Sequence, residues 1–244
     1  MKRTAKKMLT YKVNSVTVTL YLLKKEAAMP RIKRSPEEID ASKQDILKEA
    51  LALMTRHGFD GFSMRRLGGR LGVSAKTIYN YYKNKDELYL AILTEGFQQL
   101  YERFSHVFSS VTDPLKRMET LGREYLTFGL EHANIYNLMF TWHVPKFKDY
   151  VGTPMEPAAK IELETALRVS ELFMRAIQAT AQNEAPMPDK DARFHMIRMW
   201  SQMHGFVAGI NNTLLDYMHE DPKILKEQLL ECVMAHFRHD IQNQ

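Results

Sequence analysis

Cysteine, proline and glycine are all scarce in this 244-residue chain. Cys232 is the single cysteine, which excludes an intramolecular disulfide and the disulfide framework typical of small secreted proteins. A reducing compartment, the cytoplasm, is therefore expected. Nine prolines and eleven glycines are few for a chain of many short strands and turns, so helices are favoured. With 45% hydrophobic and 26% charged residues, the composition is that of a globular protein.

Signatures of common enzymes are also missing. The sequence has no glycine-rich phosphate loop, no Gly-x-Ser-x-Gly elbow and no His-Glu-x-x-His zinc motif. We therefore predict that the protein is not an enzyme, with no catalytic residue, no cofactor and no metal site. A helical enzyme is kept as an alternative.

The net charge is +5 and the isoelectric point is near 9.1, but the charge is distributed unevenly along the chain. Residues 1–35 carry an excess of nine positive charges, residues 36–85 an excess of three, and residues 86–244 an excess of seven negative charges. Basic segments are typical of chains that bind nucleic acid or an anionic membrane. The basic and acidic parts are therefore expected to have different partners.

The first 34 residues are predicted to be a basic N-terminal extension, either disordered or upstream of a true start at Met29. The β-branched run 13–23 favours an extended strand. At about eleven residues the run is too short to span a bilayer, and no membrane partner is expected. A signal peptide is an alternative, although Lys24 and Lys25 stand where small cleavage-site residues belong.

A helical pattern begins at Ser35. Ser35, Pro36 and Glu38 have the layout of a capping box with proline at the first helical position. Apolar residues then recur at helical spacing. Gly58 is predicted to end this first helix in a left-handed conformation.

Two short helices are predicted next. Ser63 caps one that runs to about Leu71, and Ser74 caps another that runs to about Tyr81. The tight turn between them contains Gly72. Short helices joined by a glycine-containing turn are typical of a helix-turn-helix, so residues 35–84 are predicted to form a helix-turn-helix DNA-binding domain.

Residues 85–244 are predicted to form a helical body, which makes the fold class all-α. Prolines and glycines predict a loop over about 143–157 and a linker at 183–188. Asn84 is predicted to cap a helix that runs to about residue 109. Further helices are expected at about 114–132, 135–142, 158–182, 189–219 and 222–240.

The second helix of a helix-turn-helix enters the major groove, where its first residues contact base edges while neighbouring groups hold phosphates. Lys76, Thr77 and Asn80 suit contacts with bases or backbone, and the hydroxyls of Tyr79 and Tyr81 suit phosphates. Double-stranded DNA is therefore the predicted partner. The predicted DNA-binding residues are Ser63, Arg65, Arg66, Ser74, Lys76, Thr77, Tyr79, Asn80, Tyr81 and Lys85.

The segment 58–88 contains a Gly-Val-Ser turn followed by Tyr79, an aromatic pair and a Lys-acid-acid-Leu start to the next helix. In these features it resembles the DNA-binding domain of the TetR family of transcriptional regulators. Gly68 and Leu71 depart from the alanines usual in that family, and Lys76 replaces a small residue. We expect Gly68 to weaken its helix by about 1 kcal/mol.

Two segments of the body extend the resemblance. Residues 132–140 are similar to the start of the family's sixth helix, and Trp200 to Gly205 resembles the Trp-x-x-x-His-Gly signature of one class of its C-terminal domains. The resemblance implies a small-molecule effector bound between helices, and methionine with aromatic residues would accept a flat or greasy one. For His204 we favour a hydrogen-bonded core histidine over a ligand contact. The predicted effector-binding residues are Tyr125, Phe128, Tyr136, Phe140, Trp142, Met199, Trp200, Met203 and His204, with Met196 and Phe206 as further cavity material.

The last two helices are apolar on more than one face, which indicates a homodimer formed through a four-helix bundle. Such a dimer would present two recognition helices to a near-palindrome. We therefore hypothesise a repressor released from a palindromic operator by a small hydrophobic or aromatic effector. The residues predicted to form the dimer face are Ile210, Leu214, Leu215, Leu225, Leu229, Val233 and Phe237.

A metal-responsive regulator is the second alternative. Cys232, His236 and His239 share one helix face at spacings of four and three residues, and these are side chains that zinc accepts. The same spacings are common on solvated terminal helices. We favour this interpretation, in which the three side chains face solvent and bind no metal.

Overall fold

The computed structural model describes residues 7–13, 16–22, 35–181 and 187–242. The chain divides into two compact units, residues 1–40 and 41–244. The described residues from 35 onward form ten α-helices with short π and 3-10 turns and no strand. The predicted all-α fold class, with an N-terminal helix-turn-helix, is confirmed.

A two-stranded antiparallel hairpin precedes the helices. Strand β1 is Lys7–Val13 and strand β2 is Val16–Leu22, with Lys7 opposite Leu22 and Val13 opposite Val16. Strand β2 lies inside the run for which β-branched residues predicted an extended conformation. Strand β1 was not predicted.

Helix α1, Pro36–Gly61, begins at the predicted capping box. The Ser35 backbone N–H donates to Glu38 Oε2 at 2.9 Å, and the Glu38 N–H donates to Ser35 Oγ at 3.2 Å. Gly58 has φ +72° and ψ 168°, which are not helical, so the first helix ends there as predicted and a short helical stretch continues to Gly61. This conformation favours glycine because it has no Cβ.

The next three helices also begin at their predicted caps. Helix α2 is Met64–Arg70, helix α3 is Ala75–Tyr79 and helix α4 is Lys85–Ser110. Helix α4 packs against helices of the body along much of its length. The body helices are α5 Pro114–Glu131, α6 Ala133–Tyr136, α7 Phe147–Tyr150, α8 Glu156–Gln178, α9 Asp189–Asn211 and α10 Lys226–Gln242.

Several boundaries in the body differ from the sequence prediction, including the end of α8 at Gln178 and the start of α10 at Lys226. The predicted loop at 143–157 contains helix α7, and Pro157 belongs to the first turn of α8, where its missing N–H costs nothing. A π-helical turn, Asn137–Thr141, continues α6. Helix α9 ends at Asn211 rather than near residue 219. Most of the predicted linker 183–188 lies outside the described residues.

Helix α9 ends early because tertiary contacts turn the chain there. Asn211 Nδ2 donates to the Gly129 carbonyl of helix α5 at 2.9 Å. Thr213 adopts φ +57°, and the Leu214 N–H donates back to the Gly209 carbonyl at 2.8 Å. The helical pattern of the sequence does not reveal a stop that depends on a partner in another helix. Among the described helices, none is both long and apolar enough to cross a membrane.

Candidate functional site

Helices α2 and α3 approach each other closely at Gly68. The Val73 N–H donates to the Gly68 carbonyl at 2.8 Å, and a Cβ atom on Gly68 would lie 2.8 Å from the Val73 oxygen. Gly72, at φ +67°, makes the turn between the helices. Leu67 and Ile78 are fully buried between them. Because a Cβ atom at residue 68 would come this close to the Val73 oxygen, the backbone of the helix-turn-helix fits glycine there and not a residue with a side chain.

Local hydrogen bonds fix the starts of these helices. Ser63 Oγ accepts from the Arg66 N–H at 3.2 Å, and Ser74 Oγ accepts from the Thr77 N–H at 3.2 Å. Ser74 Oγ also lies 3.0 Å from Thr77 Oγ1. Asn84 Oδ1 accepts from the Glu87 N–H at 2.8 Å. Three of the predicted DNA-binding side chains, Ser63, Ser74 and Thr77, thus take part in capping.

Other predicted DNA-binding side chains form an exposed surface. Arg65, Lys76, Tyr79 and Asn80 are exposed, with Tyr79 at 50%. Tyr81 is half-buried and packs against the core. The structure therefore brings polar and cationic side chains together at α3 and the adjacent part of α2.

Two residues next to this exposed surface, one aliphatic and one aromatic, belong to the core. Ile78 and Tyr82 are both buried. Burial raises the pKa of the Tyr82 hydroxyl to about 12. These side chains hold α3 in place without contacting its exposed face.

Several cations near this surface have internal partners. Arg66 Nη1 donates to the Gly61 carbonyl at 3.0 Å, and Arg70 Nε lies 2.6 Å from Glu49 Oε1. Lys85 Nζ donates to the Phe59 carbonyl at 3.3 Å and lies 3.8 Å from the centre of the Phe59 ring. Lys85, one of the predicted DNA-binding residues, therefore also joins α4 to α1.

The start of helix α4 is attached to the body by side chains. Tyr150 Oη donates to Asp86 Oδ1 at 3.2 Å, and Tyr89 Oη donates to the Pro145 carbonyl at 3.1 Å. Burial, with the nearby Asp86 carboxylate, raises the pKa of Tyr150. Helix α4 thus connects the helix-turn-helix to α7 and the preceding loop.

A cavity of about 280 Å³ lies between helices of the body. Among its described lining residues, none is charged, and the polar side-chain groups belong to Tyr125, Ser170 and Trp200. The cavity is therefore suited to an apolar molecule. Its lining residues are Phe97, Leu100, Phe104, Tyr125, Phe140, Ala166, Leu167, Val169, Ser170, Phe173, Met196, Ile197, Trp200 and Met203.

The predicted effector residues separate into two groups. Tyr125, Phe140, Trp200 and Met203 line the cavity, as does Met196. The structure places the others elsewhere in the body: Phe128, Tyr136, Trp142, Met199, His204 and Phe206.

The sequence prediction missed the contributions of helices α4 and α8. Phe97, Leu100 and Phe104 recur at helical spacing on α4, so their shared face was detectable. Periodicity does not show which part of an apolar face borders an empty space. The α8 residues Ala166 to Phe173 were missed for the same reason.

A hydrogen-bonded chain leads from the cavity into the core. Tyr125 Oη and Tyr136 Oη are 2.8 Å apart, and Tyr136 Oη lies 2.7 Å from His204 Nδ1. The His204 ring stacks on Trp200, with ring centres 4.7 Å apart. Burial raises the pKa of both tyrosines and lowers the pKa of His204, so this histidine is neutral at pH 7. His204 is hydrogen-bonded, as we expected.

The residues predicted to form a dimer face need correction. Ile210, Val233 and Phe237 are buried inside the single chain, because the core of the body takes more apolar side chains than we assumed. Leu215, Leu225 and Leu229 are half-buried, and Leu214 is exposed.

Exposed apolar side chains lie on the segment 214–224 and on helices α8 and α9, which pack against each other. We call the set on α8 and α9 the α8–α9 strip. Phe194 is 63% exposed and Ile161 58% exposed. The strip comprises Ile161, Leu167, Phe194, Ile197 and Trp200.

The residues of the metal alternative lie on helix α10, where Cys232, His236 and His239 are exposed. Within the described part of the chain, no group of three or more His, Cys, Asp or Glu side chains is arranged to hold a metal ion.

These features define a helix-turn-helix protein with a helical, cavity-bearing body. Residues 46–92 match the family model of the bacterial regulatory proteins of the tetR family, and residues 118–233 match that of the tetracyclin repressor-like C-terminal domain. The chain belongs to the tetR family of bacterial regulatory proteins.

Two curated relatives are similar to parts of the chain. The transcriptional activator FasR of Mycolicibacterium smegmatis is 25% identical over 134 residues, which is 55% of this chain and 58% of FasR. The transcriptional repressor AcnR of Corynebacterium diphtheriae is 31% identical over 68 residues, which is 28% of this chain and 36% of AcnR. The similarity thus spans a little more than half of FasR and about a third of AcnR.

Two solved structures share the fold. The regulatory protein SCO4313 has a TM-score of 0.66 and 18% identity, covering 83% of this chain and 99% of that one. FadR of Bacillus subtilis, solved in complex with stearoyl-CoA, has a TM-score of 0.58 and 15% identity, covering 79% of this chain and 97% of that one. At these identities the likeness concerns the fold alone.

Proposed function

We propose that this protein is a cytoplasmic DNA-binding transcriptional regulator, with residues 35–84 as its DNA-binding domain and residues 85–244 as its effector-binding and dimerisation domain. The observation that carries the proposal is the exposed set Lys76, Tyr79 and Asn80 on helix α3. The Ser74 cap fixes the start of this helix, which is the part that a helix-turn-helix presents to base edges. The regulators FasR and AcnR support the same function.

Substitutions on α3 should separate base reading from phosphate binding. We expect Lys76→Ala and Asn80→Ala each to cost about 1–3 kcal/mol for the preferred site and to change which sequence is preferred. Tyr79→Phe removes a hydroxyl that is suited to contact a phosphate, and it should lower the affinity for every DNA sequence by a similar factor. Fluorescence anisotropy with DNA from upstream of the gene and a set of mutated sites, at several salt concentrations, measures both effects.

Lys160→Ala is the matched control, since this exposed lysine of helix α8 belongs to the acidic body. Its affinity for DNA should equal that of the wild type. An equal loss on every sequence for Lys76→Ala, Asn80→Ala and Tyr79→Phe alike would contradict the division of roles.

The proposed effector is a small hydrophobic or aromatic molecule bound in the cavity. The uncharged lining supports it. We infer that binding changes the position of helix α4, which lines the cavity with Phe97 and Leu100 and begins beside the DNA-binding helices. The effector would thereby release a repressor from a palindromic operator, since it can favour the conformation that no longer fits.

We propose further that the protein is a homodimer whose interface is the α8–α9 strip. An exposed apolar strip on two packed helices is suited to a second copy, because two such pairs related by a two-fold axis bury each other's side chains. A dimer would place two recognition helices on one palindrome.

Charged substitutions in the strip should separate the subunits. We expect Phe194→Glu and Ile161→Glu, both outside the cavity lining, to raise the dimer dissociation constant by about 30-fold or more. Sedimentation velocity measures the change. Ile224→Glu, at an exposed position beyond the strip, serves as the control and should leave the dimer intact. A dimer of unchanged stability in both strip variants would exclude this interface.

A further inference from the structure

The polar end of the cavity is the part of the body that the proposed function leaves unexplained. Tyr125 lines the cavity, and its hydroxyl continues through Tyr136 to His204 Nδ1 at 2.8 and 2.7 Å. Tyr136 is fully buried and Tyr125 is nearly so. Two buried hydroxyls and a half-buried imidazole among aromatic rings cost desolvation, which their mutual hydrogen bonds only partly offset.

The chain can run in either direction, because each hydroxyl has one proton and a neutral imidazole has two tautomers. When Tyr136 donates to Nδ1, Tyr125 donates to Tyr136, accepts from the Trp200 indole and offers its remaining lone pair to the cavity. When Nδ1 carries the proton, His204 donates to Tyr136, Tyr136 donates to Tyr125, and the Tyr125 hydroxyl is left to donate into the cavity. Tyr125 can therefore hydrogen-bond to a donor or to an acceptor group of a bound molecule, and neither case changes the net charge of the chain of side chains.

The rest of the lining restricts what can be bound. None of the described lining residues is charged, so a carboxylate or phosphate inside the cavity would be desolvated without a counter-ion. An uncharged hydroxyl or carbonyl group faces a smaller desolvation cost, which a single hydrogen bond can balance.

We propose that the cavity selects an uncharged, largely apolar effector with one hydroxyl or carbonyl group, which hydrogen-bonds to Tyr125 at the end of the Tyr125–Tyr136–His204 chain. This inference rests on the proposed effector function and names the chemical class of its ligand. Tyr125 is the contact residue, while Tyr136 and His204 are positioning residues.

Four probes of one chain length test the proposal: n-octane, 1-octanol, 2-octanone and octanoate. Quenching of tryptophan fluorescence reports binding, since Trp200 lines the cavity. In Tyr125→Phe we expect the affinity for 1-octanol and 2-octanone to fall about tenfold, because each loses its hydrogen-bond partner. The affinity for n-octane should stay the same, which shows that the cavity is intact. Octanoate should bind the wild type at least about tenfold more weakly than 1-octanol.

Tyr150→Phe is the matched control. It removes the same atom from a tyrosine that bonds to Asp86 and is not among the lining residues, so it should change the affinity for none of the probes. The inference would be overturned if Tyr125→Phe left the ratio of 1-octanol to n-octane affinity unchanged, or if octanoate bound as tightly as 1-octanol. Either result would still leave the cavity as a binding site. Failure of all four probes to bind the wild type would overturn the proposed effector cavity itself.

Discussion

Replacing Gly68 by alanine should destabilise the protein by about 1–3 kcal/mol, although alanine is the better helix former. The added Cβ would lie 2.8 Å from the Val73 carbonyl oxygen and 3.1 Å from the Ala75 nitrogen. Both are backbone atoms, so relief requires a shift of helix α3 relative to α2. The Val73 N–H also donates to the Gly68 carbonyl at 2.8 Å, and this bond opposes the shift.

Gly69 provides a matched control within the same helix. A Cβ there would have no atom within 4 Å, so Gly69→Ala should stabilise the protein by about 0.5–1 kcal/mol through backbone entropy alone. Urea unfolding followed by circular dichroism gives both free energies, and DNA affinity reports the position of α3. Equal stabilisation by the two alanines would show that the α2–α3 contact is looser than described.

The Gly68 result would also settle an expectation drawn from sequence. Helix propensity predicts that glycine weakens helix α2 by about 1 kcal/mol, and the family resemblance points to alanine at this position. The structure reverses the expected effect of the substitution. The close approach to Val73 makes the glycine a requirement of this backbone, and its intrinsic cost is offset by the packing it permits.

Filling the cavity should abolish the response to effector. Ala166 of helix α8 lines the cavity, and in Ala166→Phe the new ring would occupy the ligand's volume. At a probe concentration of 100 times Kd, a ligand stabilises the wild type by about 2.7 kcal/mol. We expect this stabilisation to fall to nearly zero in the variant. Thermal unfolding with and without 1-octanol measures the difference.

The DNA affinity of Ala166→Phe should be the same with and without 1-octanol, because the new ring already fills the cavity. Ala235→Phe makes the same change at an exposed position of helix α10 and should keep the full ligand-induced stabilisation. If 1-octanol stabilised Ala166→Phe as much as the wild type, the effector would bind outside this cavity.

The sequence by itself determined the helix-turn-helix. Ser35, Ser63, Ser74 and Asn84 cap the helices that they were predicted to cap. Capping joins a side chain to a backbone N–H two or three residues away, so both partners lie within one short stretch of sequence. The family signature lies in the same stretch, which explains why the helix-turn-helix and the all-α class needed no tertiary information.

Only the tertiary structure decided the cavity, its polar chain and the α8–α9 strip. Phe97, Tyr125, Ala166 and Trp200 come from four helices and meet at one space. Val233 and Phe237 appeared in the sequence as surplus apolar residues and are core, whereas Phe194 is exposed. Helical periodicity shows that a face is apolar. Whether that face meets another helix, an empty volume or solvent depends on how distant helices pack, because dense packing fills most of the space between helices and leaves only a few voids.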